Sequence, residues 1–157
     1  MKDTQFSIRD IKVYERLKAE SGYSAHIKST AGQPDKLLSL TIATNEEKGI
    51  IDEYLLGAIN ECRMAISRYL SPCSIDEEND CNADGYMIHR FKVTLPSNYP
   101  ETYISSLESA VTDFVCSRCL QQWYLLVKSD DADTATLKAQ SAMALMRDIL
   151  STRTKPH

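Results

Sequence analysis

The pair Cys116-x-x-Cys119 is the arrangement of residues in this chain that most suggests chemistry. This spacing serves both dithiol redox centres and zinc sites. A redox pair gains its low thiol pKa at the N-terminus of a helix. These two cysteines instead fall in the middle of a predicted helix, with Arg118 as the only nearby cation. The context therefore does not favour a redox centre.

A zinc site at the same pair would need four ligands. The additional ligands, Cys73, Cys81 or His89, would have to come from a loop and a strand at no recognised spacing. The chain has five cysteines, an odd number without an export signal, which indicates reduced thiols. We therefore predict that Cys116 and Cys119 are core thiols.

The remaining candidates are acidic side chains and histidines. The acidic group, which lacks the spacing of a calcium-binding loop and is predicted to be a solvated loop, comprises Asp76, Glu77, Glu78 and Asp80. The histidines, which are scattered over a predicted loop, a strand and the tail, are His26, His89 and His157. The G-x-S-x-G, HExxH, Walker A and G-x-G-x-x-G motifs are absent. We expect no catalytic, cofactor-binding or metal-binding residues, and we expect that the protein is not an enzyme.

A long helix over residues 100–128 is predicted to hold the two cysteines. Its apolar residues recur at spacings of three and four along two stripes. The first stripe is Ile104, Leu107, Val111, Phe114 and Val115, and the second is Cys116, Leu120, Trp123, Tyr124 and Val127. A helix that is apolar on more than one side is buried, so the other segments are expected to pack around this one.

The N-terminal 43 residues are predicted to form an extension with one short helix. Ser7 and Asp10 have the S-x-x-D form of a helix start, and Gly22 is a candidate C-cap, which predicts a helix over residues 8–21. Loop composition follows over residues 22–35. Residues 37–43 alternate in polarity, which suits either a short strand or the start of the next helix.

The rest of the chain is predicted to form two more helices and a strand. A capping box at Thr44 and Glu47 starts a helix that runs to Leu70 and ends at Ser71-Pro72. An acidic loop over residues 72–85 leads to a strand over residues 87–95, where polarity alternates with a period of two. A helix over residues 132–151 follows the central helix after a short acidic connection, which predicts an antiparallel pair.

These elements predict a single mainly α domain over residues 1–157. The expected architecture is a small antiparallel helical bundle with one or two short β-strands and long loops, an acidic loop and strand insert over residues 73–95, and an extended tail over residues 152–157. A lone strand must pair with another because its backbone groups need partners. The candidates are the 37–43 segment, the loop before the strand, or a strand of another subunit.

Composition excludes several classes of function. The 157 residues carry a formal net charge of -4 with a pI near 5.4, so no broad basic surface for nucleic acid is expected. The start of the chain has no apolar h-region, and no run of about 18 apolar residues occurs. The sequence therefore predicts an intracellular, soluble protein with no membrane contact.

The order of segments over residues 46–156 resembles the helical head-to-tail connector proteins of tailed bacteriophages. The matching features are a first helix that stops at the segment Ser67-Arg68-Tyr69-Leu70-Ser71-Pro72, and a proline-led second helix with Trp123 and Tyr124 near its end. An acidic turn and a last helix with Arg147 and Arg153 at its basic end follow.

The resemblance implies a structural virion protein that forms an oligomeric ring, usually of twelve copies, in the neck between the portal protein and the tail proteins. It implies assembly in the bacterial host cytoplasm and no cofactor. DNA passes through such a ring without being specifically bound, which agrees with the acidic composition. Helices with two apolar stripes can bury one stripe within the subunit and the other against a neighbour.

Two other functions are open at the level of sequence. A small acidic chaperone or regulatory adaptor of the host cell would share the charge and the helices. A thiol redox or zinc protein that acts through Cys116 and Cys119 is the third hypothesis.

Overall fold

The computed structural model describes residues 2–30, 45–71, 79–81 and 86–151. Within these ranges the chain forms four α-helices, a 3-10 turn and a small antiparallel sheet. In chain order the elements are β1 (Lys2–Arg9), α1 (Asp10–Thr30), α2 (Asn45–Ala65), the 3-10 turn (Ser67–Tyr69), β2 (Asn79–Cys81), β3 (Met87–Leu95), α3 (Glu101–Leu126) and α4 (Ala132–Ser151). The prediction of a mainly α chain with a small sheet is confirmed.

The central strand of the sheet is β3, which has the bounds that the alternation in polarity predicted. Its inward side chains are buried and the residues between them are half-buried. β1 pairs with it antiparallel along eight residues, from Lys2 opposite Leu95 to Arg9 opposite Ile88. β2 pairs with its other edge. Both neighbours come from the same chain, so the strand needs no partner from another subunit.

The prediction for the N-terminus was wrong. Residues 2–9 form a strand, and the helix predicted over residues 8–21 instead begins at Asp10 and continues to Thr30. The S-x-x-D pattern suggested a helix start, but the alternating Phe6 and Ile8 are both buried against the rest of the chain, which is the pattern of a half-buried strand. The N-terminal segment is therefore part of the core rather than an extension.

Gly22 does not end α1, and residues 22–30 are helical rather than a loop. Glycine within a helix costs about 1 kcal/mol relative to alanine. The face formed by Leu17, Ser21 and Ala25 is fully buried, and that burial offsets the cost. Residues 31–44, which include the predicted strand over residues 37–43 and the cap residue Thr44, lie outside the described residues.

α2 ends at Ala65, five residues earlier than predicted. The 3-10 turn follows, and Leu70 then forms an isolated bridge with Val93 of β3. The backbone N–H of Ser71 donates to the carbonyl of Lys92 at 2.8 Å. The end of the predicted helix therefore joins the sheet. Most of the predicted acidic loop and the tail over residues 152–157 lie outside the described part of the chain.

α3 is the buried central helix that the sequence predicted, and it contacts α4 most extensively, with further contacts to α2, α1 and β1. Phe114 from the first stripe is fully buried and Trp123 from the second is nearly so. Both stripes are thus covered within one chain. The hypothesis that one stripe of this helix faces a neighbouring subunit is therefore wrong for α3.

A short turn joins α3 to α4, as predicted. Lys128 adopts a left-handed conformation with φ of 57°, and the N–H of Ser129 donates to the carbonyl of Tyr124 at 2.8 Å. This is the Schellman arrangement, in which glycine usually occupies the left-handed position. The N–H of Asp131 donates to Ser129 Oγ at 3.2 Å at the start of α4. The turn reverses the chain, so the two helices are antiparallel.

Candidate functional site

Cys116 and Cys119 lie in the core, as predicted, and both side chains are fully buried. Burial raises the pKa of the Cys116 thiol to about 12 and also raises the pKa of Cys119. The thiolate is the reactive form of cysteine, so neither residue is activated near neutral pH. Among the residues that the structure describes, no group of three or more His, Cys, Asp or Glu side chains is arranged to hold a metal ion.

His89 forms a buried pair with Asp10 that the sequence did not predict. The His89 Nε2 atom lies 2.7 Å from Asp10 Oδ1, and His89 is 1% exposed. The pair joins the first half of β3 to the first turn of α1. Neither residue lines the two cavities described below, so the pair positions these elements rather than acting on a substrate. His26 is exposed on α1, and His157 lies outside the described residues.

A polar cluster connects α1 to α2. The Tyr14 hydroxyl donates to Asp52 Oδ1 at 2.7 Å and to the Lys48 carbonyl at 2.8 Å. Lys48 Nζ contacts Asp52 Oδ2 at 2.8 Å and lies 5.1 Å from the centre of the Tyr86 ring. Burial raises the pKa of Tyr14, so its hydroxyl remains a donor at physiological pH. The cluster orients α2 relative to α1.

The first cavity, which we name the α1 pocket, lies between the second half of α1, the end of α3 and the start of α4. Its volume is about 320 Å³. Polar side chains from all three helices and the intervening turn line it, among them Glu20, Ser24, Ser117, Tyr124, Asp131 and Lys138. The Ser24 hydroxyl donates to Asp131 Oδ2 and ties α1 to the turn between α3 and α4.

The second cavity, which we name the α2–α4 groove, is a shallow depression of about 560 Å³. Phe114 and Arg118 of α3 lie between walls formed by α2 and α4. Arg118 lies over the Phe114 ring, 5.2 Å from its centre, and donates to Glu61 Oε1 at 3.0 Å. Its Nε atom is buried and has no hydrogen-bond partner within the described part of the chain.

Large apolar side chains are exposed on α2, where Met64 lines this groove, and on α4, outside the lining of the groove. Met64 on α2 is 79% exposed, and Leu137 on α4 is 64% exposed. Leu145 is also exposed and lies two turns from Leu137, on the side of α4 that faces away from the core. Ala144, seven residues after Leu137, lines the groove. We name the set Met64, Leu137, Ala144 and Leu145 the outer apolar surface.

The sequence prediction named only one face of α4 and therefore missed this surface. The signal was the spacing of Leu137 and Leu145, which places a second apolar row opposite the buried alanines.

No known protein family, curated protein or solved structure matches the chain. None of the helices in the described ranges has the length and apolar content required to cross a membrane.

Proposed function

We propose that this protein is a structural adaptor, a head-to-tail connector that assembles as a ring in the neck of a tailed bacteriophage. Its partners are further copies of itself, the portal protein and other neck or tail proteins, and its location is the virion. It acts by contact and carries out no catalysis.

The outer apolar surface is the observation that supports this proposal. The core is complete within one chain, since the apolar faces of β3 and α3 are buried. Several large methionine and leucine side chains that remain exposed are typical of a surface that another protein covers.

Electrostatics supports a lumen that DNA traverses. The net charge of -4 gives each subunit a small excess of carboxylates. Repeated around a ring, this excess would repel phosphate and prevent DNA from adhering. A ring through which DNA only passes does not need a basic surface.

The buried thiols argue against the redox hypothesis, because burial of Cys116 and Cys119 suppresses the thiolate that redox chemistry requires. The acidic chaperone or regulatory adaptor is the competing proposal. The α2–α4 groove would then hold an apolar segment of a client protein.

Negative-stain electron microscopy of the purified full-length chain, alone and mixed with a candidate portal protein, tests the proposal. We expect annular particles with a central opening. Single small particles under both conditions, together with saturable binding of an apolar client peptide, would instead support the chaperone.

A further inference from the structure

We draw no further inference here: the strongest candidate, the surface patch that the exposed residues Ile50, Gly57 and Met64 form at seven-residue spacing along α2, carries nothing because nothing in the described part of the structure shows what covers it.

Discussion

Cys116 and Cys119 illustrate how burial removes the chemistry that a sequence motif suggests. Their spacing suits redox and metal chemistry, but their position in the middle of α3 surrounds them with apolar side chains. Desolvation penalises the thiolate more than the thiol, so both residues act as small apolar side chains. Nearby Arg16 lowers the pKa of Cys116 but does not outweigh burial.

Thiol labelling checks this account directly. In a Cys73→Ser, Cys81→Ser background, the remaining thiols are Cys62, Cys116 and Cys119, all buried. A pKa of about 12 in place of 9.0 for Cys116 reduces its thiolate fraction at pH 8 by roughly a thousandfold. We expect iodoacetamide to label the native protein at least ~100-fold more slowly than the urea-unfolded protein. Rapid labelling of native Cys116 or Cys119 would restore the redox hypothesis.

Burial of Cys116 and Tyr124 makes the stability of the fold depend on pH in the alkaline range. Folding raises the pKa of Cys116 from 9.0 to about 12 and that of Tyr124 from 10.0 to about 12. The folded state therefore holds these protons more tightly than the unfolded state. Their contribution is complete below about pH 9 and is lost as the pH rises toward 12, with a slope of up to about 1.4 kcal/mol per pH unit for each group.

Urea unfolding at a series of pH values measures this slope. We expect the free energy of unfolding to fall between pH 9 and 11.5, and we expect Cys116→Ala to reduce the slope by the share of one group. A free energy that is flat over this interval would show that these residues are not buried as described.

At the scale of secondary structure, the predictions succeeded where a segment carries its own pattern. β3, α3 and α4 have apolar residues at a clear period, and the structure has them close to the predicted bounds. β1 carries only two inward apolar residues, and its strand conformation depends on pairing with β3 eighty residues later. The helix signals at Ser7 and Gly22 were stronger than this short strand pattern, so the sequence predicted a helix over residues 8–21 instead of the strand.

The candidate sites were less predictable than the helices and strands, because each site combines residues that are far apart in the sequence. The pairing of His89 with Asp10 depends on the register between β1 and β3 and on where α1 begins. The α1 pocket combines residues from three helices, and each residue alone suits an ordinary surface or core position. The outer row on α4, with Leu137 and Leu145, left a signal in the spacing of the sequence, but the prediction did not use it.

A substitution in β1 tests whether the N-terminus belongs to the core. The Phe6 ring stacks on Phe91 with the ring centres 5.0 Å apart. We expect Phe6→Ala to lower the free energy of unfolding by about 3 kcal/mol, since a large buried ring is lost. The neighbouring Gln5→Ala, at an exposed position, should change it by less than about 0.5 kcal/mol. Equal, small effects in chemical denaturation would mean that β1 is a dispensable extension.

The turn after α3 offers a stabilising substitution. A residue with a Cβ atom pays roughly 1 kcal/mol for the left-handed conformation that Lys128 adopts. Glycine avoids this strain but loses more entropy on folding, so Lys128→Gly should raise the free energy of unfolding by about 0.5 kcal/mol. Thermal unfolding of the variant beside the original chain provides the measurement. A lower melting temperature would show that the turn has another conformation.

At the scale of the whole molecule, the burial of α3 decides where subunits can meet. Its stripes are covered by α2, α4, α1 and the sheet, and we therefore propose that contacts within a ring use the outward sides of α2 and α4. The outer apolar surface places exposed apolar side chains on those sides, and covering them would be favourable.

A charge placed on this surface should therefore prevent assembly without unfolding the chain. We expect Leu137→Lys to shift the sedimentation of the protein to that of a single subunit, because an ammonium buried in an apolar contact has no partner. Asn60→Lys adds the same charge at an exposed polar position of α2 and should leave assembly intact. Melting curves of the two variants should coincide with that of the original chain, and assembly of Leu137→Lys to the original size would exclude this surface from the interface.

Native mass spectrometry of the unmodified full-length chain tests the connector proposal most directly. The mass of one chain is 17.7 kDa. We expect a closed assembly of about twelve copies, either for the chain alone or once portal protein is added. A monomer or dimer that persists in the presence of portal protein would contradict the proposal.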